Sequence, residues 1–281
     1  MKLANLVSLL VLIAISSFAQ SKEVTLVHNI YYTKIEITNV TADIRVNDFP
    51  VAKHSDASGF EVEESINNLL VQGENSLSIS LAPLNDAETI VGTVKVVVYL
   101  HDNTSDFPKE KQRHIDFTYP SEAFPAPQAS LNQKLVFELS DIPTLKLWNN
   151  TEKVTALTAA DKSDILKIVN ELEQSILTGA IDRAIALQDF KLTDDALAEG
   201  KSKAQIAEAV SFNYNWIAEQ KPVAAEKLTP ENISFELVAN GRAVYVSKKS
   251  GSEAIELESE ELGFELPTFV AKTAAGWQIV R

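Results

Sequence analysis

The chain has 281 residues, 45% of them hydrophobic and none of them Cys, and a formal net charge of −14 that grows by one unit if Lys2 leaves with a leader. Such acidity repels phosphate backbones and anionic bilayers, so nucleic acid is not an expected partner. The lack of Cys removes thiol nucleophiles, CxxC redox pairs and Cys-ligated metals, and leaves apolar burial to supply stability.

In chain order, residues 1–19 read as a signal peptide. Lys2 is a short basic region and Leu3 to Ile15 an apolar one, and Ser17-Phe18-Ala19 places small residues where a signal peptidase cuts. The apolar run is short of the about 20 residues a bilayer span needs. No later stretch is apolar enough to cross, so the expectation is a periplasmic or secreted protein with no membrane span after cleavage.

Residues 20–144 read as strands. "EVTLVHNIYYTKIEI" alternates in places, and "ADIRVNDFPVAK" holds Asn47-Asp48 between two strand-like runs, the mark of a tight hairpin. "SLSISLAP" puts Leu77, Ile79 and Leu81 on one face. "GTVKVVVYLH" suits a central strand, and "RHIDFTYP" and "QKLVFEL" add two more. "EESINNLL" reads as a helical turn, and Phe124 to Gln128 (FPAPQ) as a bridge between sheets or a strand start. Short strands separated by turn residues predict an antiparallel sandwich.

The polar stretch 145–158 is the expected linker, and the pattern changes after it. Asp161 is placed to cap a helix with Ile165, Ile168, Val169, Leu172 and Ile176 at helical spacing. "AIDRAIALQDF" predicts a second short helix and "TDDALAEG" a capped turn ending at Gly200. Ser202 and Gln205 form a capping-box pattern before Ile206, Ala209, Val210, Asn213 and Ile217, and Lys221-Pro222 ends that helix. From Ile233 the period is two. Asn240-Gly241 marks a hairpin, and "SEAIELESEE" and "LPTFVAKTAAGWQIVR" complete about four antiparallel strands. Residues 159–281 thus read as an α+β unit, helices first and sheet second, with the closing hairpin supplying strands the sheet needs.

That order, ending in "FVAKTAAGWQIVR" with Trp277 after a turn, resembles the NTF2-like (SnoaL-like) α+β superfamily over roughly 160–281. It departs from that pattern in a shorter first helix and in a hairpin replacing one strand. The stretches "IRVNDFPV" and "LLVQGENSLSISLAPL" are similar to immunoglobulin-like or galactose-binding-like sandwiches. The first resemblance implies a cavity between helix and sheet, bordered by Asn213 and Trp216 and faced by Tyr245 and Trp277. Either fold hosts unrelated activities.

Chemistry-bearing motifs are few. His101, Asp102, Asp106, His114 and Asp116 are adequate metal-ligand types but lack an HExxH-like spacing, and polar residues around a hairpin loop explain them more simply. Glu253, Glu256, Glu258, Glu260, Glu261 and Glu265 read as the wet face of a strand, since no calcium loop accompanies them. No G-x-S-x-G, G-x-G-x-x-G or Walker pattern occurs, and no cofactor or metal is expected. The expected role is non-catalytic binding of a protein partner or small ligand. The alternatives are a hydrolase or lyase with a carboxylate base in the α+β cavity, and a carbohydrate-binding accessory protein that stacks sugars on Tyr31, Tyr32, Phe49 and Tyr99.

Overall fold

A computed structural model describes residues 29–102, 108–260 and 262–281. The expected signal peptide, the first residues of the first strand run, Asp106 and Glu261 lie outside the described residues.

Eight strands build the first region: β1 (Tyr31–Thr38), β2 (Thr41–Val46), β3 (Phe49–His54), β4 (Gly59–Ser65), β5 (Gly73–Ala82), β6 (Thr93–His101), β7 (Glu110–Tyr119) and β8 (Leu131–Leu139). They form two antiparallel sheets, ordered β4-β1-β6-β7 and β3-β2-β5-β8. Alternation explains why the sheets face each other. Ile35 and Ile37 of β1, Ile44 and Val46 of β2, and Leu77 and Ile79 of β5 point into one shared apolar core. The β2–β3 turn needs positive φ at both central residues, and Asn47 and Asp48 adopt φ of 47° and 74°. The β6 run is an inner strand, as its Val-rich sequence predicts. "EESINNLL" forms its helical turn only in its second half. Glu63 to Ser65 end β4, and Asn67–Leu69 form a single 3-10 turn.

The stretch 145–158 carries a one-turn helix, α1 (Lys146–Asn149), and Leu145 and Leu147 are fully buried. Four helices follow: α2 (Ala159–Leu177), α3 (Ile181–Leu187), α4 (Asp189–Glu199) and α5 (Lys203–Glu219). The N-cap of α2 is Thr158 rather than Asp161. Asp161 sits at the third helical position and returns the bond to the Thr158 N–H, a capping box. "TDDALAEG" is not a separate turn but the second half of α4, which ends at Gly200 with φ of 64°. The Ser202–Gln205 box starts α5 as expected. Its buried face runs through Ile206, Tyr214 and Ile217, with Val210 half-buried, whereas Ala209 and Asn213 are exposed.

The remaining strands are β9 (Val223–Ala224), β10 (Ile233–Val238), β11 (Ala243–Lys248), β12 (Ile255–Glu258), β13 (Gly263–Leu266), β14 (Thr268–Thr273) and β15 (Gly276–Ile279). They divide into a four-stranded sheet, β10-β11-β14-β15, and a three-stranded one, β13-β12-β9, rather than a single sheet. Gly241 in the β10–β11 turn has φ of +80°, and a Cβ there would lie 2.3 Å from the Val154 carbonyl oxygen, so only glycine fits.

The four-stranded sheet is covered on both faces. Val244, Val246, Val270 and Ile279 pack under the helices with Ile165, Val169 and Leu172. Ala243, Tyr245, Phe269, Ala271 and Val280 face the other way, onto Phe49, Leu147 and Phe190. The C-terminal hairpin is therefore a central layer, between the helices and the sandwich-like region. No described helix is long and apolar enough to cross a membrane.

Candidate ligand-binding cavity

About two turns of α5 and the end of the closing hairpin line an open-sided cavity of about 380 Å³. Val210, Tyr214 and Ile217 line it from α5 because residues three and four apart share a helix face. Leu172 closes it from α2, and Leu266, Pro267 and Thr268 line it where β13 passes to β14. Gln188 and Lys191 come from the α3–α4 corner, and Ile279 and Arg281 from the end of the closing hairpin.

The polar groups of this cavity are mostly committed to one another. The Tyr214 hydroxyl receives a hydrogen bond from Gln188 Nε2 at 2.9 Å, and burial raises the Tyr214 pKa. Lys191 pairs with Asp195 at 2.6 Å. Arg281, only 5% exposed, donates from one terminal nitrogen to the Val280 carbonyl at 2.8 Å and from the other to the Asn68 carbonyl. Its guanidinium lies 3.6 Å from Asp194. Asp194 itself accepts the N–H groups of Lys146 and Leu147 at 2.8 and 2.9 Å, so it caps α1. Burial pulls the Arg281 pKa down, and Asp195 and Asp194 oppose that pull. The Arg281 Nε–H is buried and has no hydrogen-bond partner.

Of the four residues expected to border a cavity, two share this one. Asn213 and Trp216 both line it, Asn213 exposed and Trp216 46% exposed with its ring edge-on to Phe264 at 5.5 Å. Tyr245 does not line it. Strand alternation turns Tyr245 to the opposite face of its sheet, where it stacks on Phe269 at 4.9 Å, lies 4.5 Å from Lys53 Nζ and donates to Glu253 at 2.7 Å. Trp277 lies at the N-terminus of α2, where its indole N–H donates to Asp161 at 3.1 Å. Tyr214 was not among the residues expected at the cavity, although it falls four residues after Val210 and three before Ile217. Nothing in the sequence marks Arg281 or Lys191, because their place depends on how the hairpin and α4 meet.

The other candidates separate. Among the described residues no three His, Asp or Glu side chains gather as a metal site. His114 packs between Tyr31 and Phe137, and burial lowers its pKa. Arg113 engages both Glu110 and Asp116. Tyr31, Phe49 and Tyr99 are buried, and the half-buried Tyr32 stacks on Tyr99 at 5.8 Å, so these four aromatics form no open platform for a sugar ring. Glu173 and Glu253 are carboxylates whose pKa burial raises, yet neither lines the cavity. The chain matches no known family model, no curated protein and no solved structure.

Proposed function

We propose that this is an exported binding protein whose cavity beside Trp216 takes a small molecule with an apolar body and a hydrogen-bond acceptor. The observation that carries the reading is a cavity lined largely by apolar side chains, with Asn213, Gln188, Lys191, Thr268 and Arg281 as its polar members. Apolar walls with a few convergent polar groups are the usual makeup of a ligand pocket. Asn213 at the rim adds an amide donor and acceptor, and Trp216 a flat apolar wall. The lining contains no Asp or Glu, so a carboxylate-base reaction in this cavity has no candidate base, and we favour binding over hydrolysis or elimination.

The helices-then-strands order supports an NTF2-like reading of residues 159–281. The two facing sheets support a sandwich domain, immunoglobulin-like or galactose-binding-like, before it. Export rests on the signal-like residues 1–19.

The test is native mass spectrometry of the protein purified gently from its own cell envelope. A small-molecule adduct is expected on the wild type and is lost in Val210→Trp, which fills the cavity from a half-buried position. A wild-type protein free of adduct, or an adduct that persists in Val210→Trp, would overturn the reading.

A further inference from the structure

A second cleft, of about 510 Å³, lies between the first turns of α2 and strand β10. Strand β10 pairs with β11 alone and is the edge of its sheet. Lys249 N donates to the Asn232 carbonyl at 2.7 Å, which fixes the phase of the ladder. Hydrogen-bonded and non-bonded pairs alternate along an antiparallel register, so Ser234, Glu236 and Val238 turn their backbone groups to β11. Phe235 and Leu237 turn theirs to the open edge, and among the described residues no backbone hydrogen bond meets them there. The Ile233 N–H, the remaining outward donor of this row, is taken by the Thr229 carbonyl at 3.2 Å.

Natural edges are commonly blunted by Lys, Pro or a bulge. Strand β10, Ile-Ser-Phe-Glu-Leu-Val, has none of these. Its one charge, Glu236, is held from the far side by Arg45 at 2.5 Å and approached by Lys53 at 3.8 Å, which fixes the strand in place. The cleft beside it carries Lys162 on α2 and Lys249 after β11, and no Asp or Glu lines it. Lys249 Nζ donates to the Glu231 carbonyl at 2.5 Å, so its charge meets a neutral group there. A basic cleft on a chain of net charge −14 is a local reversal of sign.

We infer that the β10 edge is a docking site for an extended, acidic segment of a partner protein. The segment adds a strand beside Phe235 and Leu237, and its acidic side chains reach Lys162 and Lys249. Strand addition supplies affinity through the main chain and specificity through alternate side chains. A second copy of this chain fits less well, because it would bring another strongly acidic molecule and the same two lysines to the cleft. This inference stands apart from the Trp216 cavity, and neither depends on the other.

The experiment is selection of a random decapeptide display library on the full chain, followed by amide hydrogen exchange and affinity measurement with the enriched peptides. Enrichment of peptides alternating apolar and acidic residues is expected, with slowed exchange of the Phe235 and Leu237 amides. Affinity should fall roughly tenfold in Lys162→Glu/Lys249→Glu, and more at low salt, with the melting temperature unchanged. Both lysines are exposed, so the variant tests charge and not folding. Failure to enrich peptides, protection located elsewhere, or affinity indifferent to the double variant would each overturn the inference. So would a dimer in sedimentation that protects the same amides without peptide.

Discussion

Glu173 lies on α2 in the core of the helical region, only 2% exposed, with one carboxylate oxygen unpartnered. Burial raises its pKa, while Gln174 and Lys248 work the other way. The sign of the stability effect follows. Because the folded protein holds this proton more tightly than the unfolded chain, stability falls as pH rises above the ordinary Glu value of about 4.3 and levels off past the folded-state value. Glu173→Gln should remove that slope and stabilise the protein by about 1 kcal/mol at pH 8, read as urea midpoints against pH. A variant that tracks the wild type at every pH would contradict this. Asp194 is a buried acid whose oxygens are engaged. It is fully buried, caps α1 and lies beside Arg281. Asp194→Ala should cost about 3–5 kcal/mol in urea unfolding, since it strands a buried guanidinium. Asp194→Asn, which keeps an acceptor for the α1 N–H groups, should cost less. None of this was legible in the sequence. Alternation and helical spacing say which apolar residues turn inward, but a buried Glu, Asp or Arg is defined by partners dozens of residues away.

At the scale of elements, the capping box of α2 does more than start a helix. Asp161 accepts the Thr158 N–H at 3.0 Å, and one of its oxygens also receives Lys272 and Trp277, each at 3.1 Å. The hydrogen bonds from Thr158, then those from Lys272 and Trp277, hold the Asp161 carboxyl well below the usual range. Its stabilising effect is present above the unfolded value of about 3.9 and is lost as pH falls through the lower folded value. Thr158→Ala should cost about 1 kcal/mol as a lost cap. Asp161→Ala should also free the indole of Trp277 and shift its emission to the red. An unshifted spectrum would show that the hairpin is held without this link. The element boundaries explain what the sequence could and could not disclose. The Asn47-Asp48 turn, the Ser202 box and the Gly200 stop announce themselves through local backbone chemistry. The division of the last seven strands into two sheets does not, because β12 reads the same whether it pairs with β13 and β9 or joins the larger sheet. Asn213 and Trp216 were expected at a cavity through the NTF2-like resemblance, and both line one. Tyr245 is separated from them by which face of β11 meets the helices.

At the scale of the whole molecule, the junction between the paired sheets and the α+β region is itself a core. Phe49, fully buried, stands at the start of β3 and meets Phe269 at 5.3 Å and Trp148 at 6.0 Å. Around it, Trp148 donates to the Leu70 carbonyl at 3.1 Å, and Arg45 reaches Glu236 at 2.5 Å. Burial opposes the Arg45 charge, yet its bonds to Asp43 and Glu236 outweigh burial and raise its pKa, so the guanidinium stays charged. The four-stranded sheet packs its far face against this junction, so losing it would expose Tyr245, Phe269 and Val280. Mutual dependence of that kind predicts one cooperative unfolding transition, with tryptophan fluorescence and far-ultraviolet circular dichroism coincident in urea. Phe49→Ala removes the central ring and should cost about 3–5 kcal/mol. The loss falls on the contact between regions more than on either region's own core, since Phe49 packs with Leu147, Phe190 and Phe269 rather than with the apolar residues between the paired sheets. The variant should therefore separate the two probes. Fluorescence, which reports Trp148 at the junction and Trp216 and Trp277 beyond it, should change at lower urea than the dichroism of the strand-rich first region. If the two curves of Phe49→Ala still coincide, the regions are coupled through the Arg45–Glu236 and Asp194–Arg281 contacts instead. Adding Arg45→Ala would then be the substitution that splits them.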